Sequence, residues 1–248
     1  MKLIKSVRKL FISLAIFVIK RKKGLKLLSL KAKSLSGRLT FSSKLKKYLK
    51  ESDTRLMQLG SGDNAMQGWF NTDLYPKQGF VFLDASKPFN IPNCTFDRIF
   101  SEHMIEHISY NQAELQLKEC YRILRPGSKI RIATPNLNHY IELFSNSDSS
   151  LENYKEWISN NWLKKASIDY KNPSFFLNLV MHSWGHEFIY DFNTLETTLK
   201  GIGFTNVKEY ECYQSDDNFF KGIERHGDFI GNREMNALET LVIEADKV

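Results

Sequence analysis

His103 is the side chain in this 248-residue chain best placed to take a proton. Histidine titrates near neutral pH, and His103 follows directly on the apolar run Phe96-Asp97-Arg98-Ile99-Phe100 and the pair Ser101-Glu102. His186 is a second candidate base; with His182 it brackets Trp184 and Gly185. Upstream, Gly60-Ser61-Gly62 ends another apolar run, where glycines let backbone approach a ligand with no Cβ in the way. Asp73 and Asp84 end the next two runs. A carboxylate in the first position can accept two hydrogen bonds from neighbouring ribose hydroxyls, and one in the second can meet an adenine amino group.

These groups need a scaffold that brings run ends together. Arg55–Leu59, Trp69–Thr72, Phe80–Leu83, Phe96–Phe100 and Lys129–Ala133 are short β-like runs, each stopping at polar or turn residues. The last runs into Thr134-Pro135-Asn136. In an open α/β sheet, ligands bind beyond the carboxyl ends of parallel strands, so five such ends should converge on one crevice. Only residues 60–68 separate the first two runs, fewer than a helical crossover needs; the first helix is therefore expected to shrink to a turn. Gly60–Ala65 also fits the G-x-G-x-x-A dinucleotide fingerprint, but that must open a helix, and Gly68 arrives too soon.

The ordered series L-x-L-G-S-G, G-W-F-N-T-D, D-A-S-K-P-F, F-D-R-I-F-S-E-H-M-I-E-H-I, L-K-E-C-Y-R-I-L-R-P-G and I-R-I-A-T-P-N resembles the class I S-adenosylmethionine-dependent methyltransferases. It is most like the small bacterial group with a G-W-x-N-x-D second strand. The likeness covers residues 55–137 and extends weakly through His186–Asp191. It implies an α/β, Rossmann-like fold with a mostly parallel seven-stranded sheet, helices on both faces and a reversed last strand. It also implies S-adenosylmethionine as cofactor, with Gly60 and Gly62 along the methionine moiety, Asp73 at the ribose, Asp84 and Ala85 at the adenine, and Ser101 to His103 near the sulfonium. Gln58, Ser61 and Leu74 complete the expected cofactor set. Gln58 departs from the acidic residue usual at its position, supplying hydrogen bonds but no charge. His103–His107 spells the zinc-protease pattern H-x-x-E-H, but the resemblance makes Glu106 and His107 supports, and no metal site is expected.

The aromatic-rich stretch Leu151–Met181, inside a helical lid insertion expected over residues 139–185, is where the superfamily covers its substrate. His182, Trp184 and Asn136 are the expected acceptor contacts. Phe192–Lys200 reads as a helix stopped by Gly201 and Gly203, and Val207–Tyr213 and Leu238–Ala245 as the closing strands. Between them, Asp216–Gly231 reads as a polar loop reaching the acceptor side.

Charge divides the chain. Residues 1–50 hold sixteen of the 35 Lys and Arg and none of the 28 Asp and Glu, which leaves the remainder negative by nine. They are read as a basic amphipathic extension preceding a methyltransferase domain at 51–248, with residues 29–43 as a linker. Leu10–Ile19 is too short to span a bilayer comfortably, and no cleavable signal peptide is expected. Leu3, Val7, Leu10, Phe11, Leu14, Phe17 and Val18 form one helical stripe opposite lysines, which suits an in-plane helix on anionic lipid. Few aromatics interleave the charges, and no Asp/Asn-Pro-Pro-aromatic follows the fourth run, so a nucleic-acid partner is not expected. Three cysteines without short spacing suit a reducing cytoplasm. The expected activity is methyl transfer to a hydroxyl of a glycan or glycolipid precursor at the inner membrane face, with a small-molecule or lipid-linked acceptor. The alternatives are a lipid or quinone methyltransferase, and a non-catalytic protein that keeps the fold for docking.

Overall fold

The computed structural model describes residues 37–76, 79–145, 149–163 and 173–248. The amphipathic stripe expected over residues 3–18 lies outside them. Within them, residues 37–51 form helix α1. This corrects the linker reading of residues 29–43 over its described part and ties that part to the domain. Phe41 and Leu45, one helical turn apart, bury in the core alongside Phe70, Val81 and Phe89. The Lys44 ammonium donates to the Phe80 carbonyl at 2.8 Å, and the Tyr48 hydroxyl accepts from the Leu56 amide at 2.8 Å. The apolar spacing was there to be read; the run of lysines and serines around it masked it.

Seven strands make one sheet: β1 (Leu56–Leu59), β2 (Trp69–Asp73), β3 (Val81–Phe82), β4 (Phe96–Glu102), β5 (Leu124–Pro135), β6 (Thr205–Tyr210) and β7 (Thr240–Lys247). Their spatial order is β3-β2-β1-β4-β5-β7-β6. Pairings from β3 across to β5 are parallel, and β7 runs against both its neighbours. β1 (Leu-Met-Gln-Leu) is buried at every position, as a parallel strand covered on both faces must be. No helix separates β1 from β2 in residues 60–68, as their brevity requires.

Helix α2 (Tyr110–Ile123) follows a single 3-10 turn, Ile105–His107. The Gln112 side chain accepts from the Ser109 amide at its start. After β5 come α3 (Leu137–Ser145), α4 (Ser149–Ile158), α5 (Pro173–His182) and a 3-10 turn, Ser183–Gly185. A second cluster built on Tyr140, Leu143, Tyr154, Ile158, Phe176 and Val180 gives these helices a core of their own. Helix α6 (Phe192–Ile202) is capped by Asp191, which accepts from the Thr194 amide at 2.8 Å, and ends at Gly203 with φ 120°.

Helices α7 (His226–Phe229) and α8 (Arg233–Glu239) interrupt the segment between β6 and β7, where a plain loop was expected. β5 begins five residues before the expected run, and β6 ends at Tyr210 rather than Tyr213, where the backbone turns with Tyr213 at φ 70°. Leu238 belongs to α8, so the last strand starts at Thr240. Among the described residues no helix is long and apolar enough to cross a membrane.

Candidate active site

The carboxyl ends of β1 and β4 open into a cleft of about 320 Å³ whose lining includes Gln58, the turn from Gly60 to Asn64, Glu102 and His103. Gly60 and Gly62 take φ 64° and 52°, the left-handed region that favours glycine. A Cβ on Gly60 would collide with Met104 Cγ, so the first turn position has no room for another residue. The turn is closed by the Asp73 carboxylate, which accepts from the Gly62 amide at 3.0 Å and the Tyr75 amide at 2.7 Å. Ser61 is buried, its amide donating to the Thr72 carbonyl at 2.9 Å. Gln58 Oε1 and Ser101 Oγ, both buried at these strand ends, have no hydrogen-bond partner among the described residues. Such atoms are what a polar ligand in the cleft would satisfy. An amino-acid moiety at the glycine turn and a ribose at Asp73 both fit this chemistry.

A second cavity, about 260 Å³, lies beside the first. Its walls are aromatic: Tyr140, Trp157, Trp162, Trp184 and Phe229. Four histidines gather at its polar end, namely His103, His107, His186 and His226, with Glu106 and Glu239. His103, His107, His226 and Phe229 line both cavities, so they form the boundary between them.

His103 sits at φ 44°, unusual for a residue with a Cβ and of the kind that collects at functional sites. Its Nδ1 is 3.4 Å from Glu106 Oε1 and its Nε2 is 3.5 Å from the Thr240 hydroxyl. Burial alone would lower the His103 pKa, but the hydrogen bond and charge of Glu106 outweigh it and raise it. Glu106 is completely buried, with its other oxygen accepting from Thr134 at 3.1 Å. Burial opposes its charge, yet His103 and His107 hold its carboxyl below the usual range.

The sequence did not point to His226. Its ring stacks on His103 with centroids 3.8 Å apart, and burial followed by the neighbouring His103 depresses it to about 3. Glu102 puts it there. At the edge of the cleft, this carboxylate accepts from the Arg225 amide at 2.9 Å and the His226 amide at 2.9 Å. A further clue lay in the sequence. Arg131, mid-strand in an apolar run, needs buried carboxylates, and it finds Glu224 at 2.6 Å and Glu244 at 2.6 Å. Glu224 is two residues from His226.

The remaining expected residues divide. His186 lines the aromatic cavity, its Nδ1 2.7 Å from the Val180 carbonyl, and burial lowers its pKa. Trp184 also lines it, with φ 59° and its ring 5.7 Å from those of Trp162 and His186. Asp84 instead bonds Ser86 at 2.6 Å and pairs with Lys87 at 3.2 Å, lining a separate cavity against α1. Ala85 packs against the main core and Leu74 is exposed. Asn136 accepts from the Asn138 amide at 3.0 Å and does not line the aromatic cavity, and His182 is exposed at the end of α5. The structure thus brings Gln58, Gly60, Ser61, Gly62, Glu102, His103, Trp184 and His186 to the two joined cavities, with Asp73 and Ser101 at the edge.

A sheet ordered 3-2-1-4-5-7-6 with a reversed seventh strand, and a glycine turn after β1, is the Rossmann-like arrangement of the class I methyltransferase fold. Residues 64–132 match the family model described as a methyltransferase domain. No curated protein matches the chain. Solved structures similar to it include an S-adenosylmethionine-dependent methyltransferase from Archaeoglobus fulgidus, at 18% identity and TM-score 0.44, covering 87% of this chain and 94% of that one. Another, from Mesorhizobium loti, is 14% identical with TM-score 0.45, covering 83% and 96%. A Haemonchus contortus phosphoethanolamine N-methyltransferase, solved with S-adenosyl-L-methionine, is 15% identical with TM-score 0.44, covering 83% of this chain and 52% of that one.

Proposed function

We propose that the protein methylates a hydroxyl of a sugar in a glycan or glycolipid precursor, held in the aromatic cavity with His103 as the base. The observation that supports this reading is the shared boundary. His103 and His226 line both the cleft at the glycine turn and the aromatic cavity, so donor and acceptor would meet across them. S-adenosylmethionine, when bound, supplies an electrophilic methyl group on a sulfonium. The chain must then hold the acceptor oxygen in line and take up its proton. Glu106, beside His103 Nδ1, orients the imidazole, and Nε2 is left to receive that proton. The indoles of Trp162 and Trp184 offer flat apolar surfaces for one face of a sugar ring, with the histidines meeting its hydroxyls.

The basic residues 1–50 favour action at an anionic membrane surface, on an acceptor carried by a lipid. A lipid or quinone acceptor is the second reading, favoured by the apolar walls at Tyr140, Trp157 and Ile158. The test is transfer of labelled methyl from S-adenosylmethionine to lipid-linked sugars and to demethylated quinols, in parallel. Label in the sugars supports the first reading; label in the quinols alone sinks it. Mass spectrometry of cellular glycans with and without the gene should show one methyl group missing.

A further inference from the structure

We propose that Glu106, His107 and His186 hold a divalent transition-metal ion whose open coordination positions face the aromatic cavity. One ligand atom from each of the three residues lies within 4.8 Å of the others. Three features go beyond proximity. His186 Nδ1 is 2.7 Å from the Val180 carbonyl, and His107 Nδ1 is 3.3 Å from the Gly185 carbonyl. A carbonyl only accepts, so each Nδ1 carries the hydrogen and each Nε2 keeps a free lone pair. Metal-ligating histidines are oriented in this way, by giving their other N–H to a backbone carbonyl.

The second feature is Glu106. Its side chain is completely buried, and Oε1 makes only a long contact with His103 Nδ1, at 3.4 Å. It stands 3.9 Å from His107 Nε2. A carboxylate oxygen and an imidazole lone pair that face each other repel unless a proton or a metal cation lies between them, and a metal ion can be held by both. The third is preorganisation. The amides of Glu187 and Phe188 donate to the Glu106 carbonyl at 2.7 and 3.2 Å, which ties the 3-10 turn carrying Glu106 and His107 to the segment carrying His186. A site is thereby fixed before any ion arrives.

Two imidazoles and one carboxylate suit zinc, iron, cobalt or nickel better than magnesium or calcium, which favour all-oxygen shells. The neighbouring group of His103, His226 and Glu239 is also compact but serves less well. Its two rings stack face to face at 28°, so their lone pairs lie in nearly parallel planes, and one oxygen of Glu239 accepts from the Tyr154 hydroxyl. The sequence pattern H-x-x-E-H paired His103 with His107; in the fold His107 instead meets His186.

This inference deepens the proposed function, because an acceptor oxygen would complete the ion's shell; ion binding itself is measured without any acceptor. The full-length protein, stripped with a chelator, is titrated with Co²⁺ alone, followed by visible absorption and calorimetry, and then with Zn²⁺ as competitor. One equivalent should bind. His107→Ala and His186→Ala should each weaken binding by more than about 100-fold, beyond the roughly 10- to 100-fold that losing a group behind a ligand costs. Their melting curves without metal should match the wild type. His182→Ala and His226→Ala should bind as the wild type does. No saturable binding, binding kept in both His107→Ala and His186→Ala, or binding lost in His226→Ala instead, would overturn the site. Failure of sugar methylation with Co²⁺ binding intact would overturn only the acceptor reading.

Discussion

His103 and His226 stack ring on ring at 3.8 Å, on the boundary between the cleft at the glycine turn and the aromatic cavity. Burial and the charge of His103 keep His226 neutral, while Glu106 favours the protonated form of His103. The pair thus has one strong proton acceptor and one flat apolar support for it.

Replacing that acceptor should separate binding from chemistry. His103→Ala is expected to lower kcat by about 10²- to 10⁴-fold, the usual worth of a positioned base. Affinity for S-adenosylmethionine should stay within a few-fold, because the glycine turn and Asp73 are untouched. Steady-state kinetics beside calorimetry measure both; normal turnover would remove His103 from the base role.

Gly60→Ala tests the turn. The new Cβ collides with Met104, and φ 64° disfavours any L side chain, so a loss of about 1–3 kcal/mol is expected in urea denaturation. Adding Met104→Ala should recover the clash but not the backbone strain. Full recovery would show that the left-handed backbone costs nothing here.

Glu224→Gln reaches the site from a distance. It breaks a buried ion pair with Arg131 and weakens the carboxylate that accepts from the Tyr213 amide at 3.0 Å. The expected cost is about 3–5 kcal/mol of stability, with slower turnover as His226 loses its fixed position. A variant of full stability and full activity would contradict this account.

His139 gives the chain an acid-sensitive core. Burial alone depresses it to about 4 from an ordinary 6.5, and its Nε2 has no partner among the described residues. Between these values the unfolded chain binds a proton that the folded one refuses. Stability should therefore be full above pH 6.5 and fall as pH drops through 4, by about 3 kcal/mol for this group. His139→Phe should flatten the acid limb of a stability-versus-pH curve; an unchanged limb would clear His139.

The glycine turn, Asp73 and His103 were legible because each ends a short apolar run whose neighbours in the sheet are also short apolar runs. The missing helix in residues 60–68 followed from chain length alone. His226 was not legible, because its position depends on contacts made across the fold: Glu102 gripping two amides and Arg131 gripping Glu224. Trp184 was legible as an aromatic near a histidine, but its left-handed backbone was not. The α1 helix was hidden because its apolar positions, Phe41 and Leu45, lie in a segment dominated by lysine and serine.

The short β1–β2 connection has a consequence on the face it leaves bare. There Trp69 and Phe100 are covered by Phe220, and Arg98 bonds Asp217 at 2.6 Å, so the chain from 217 to 223 does the work of the absent helix. That same stretch leads directly into Arg225 and His226. The roof over the first two strands and the delivery of a histidine to the aromatic cavity are one piece of polypeptide. Any ligand that tightens the β1 turn should stiffen that roof and so change affinity at the aromatic cavity, and by thermodynamic reciprocity the acceptor should alter cofactor affinity by the same factor.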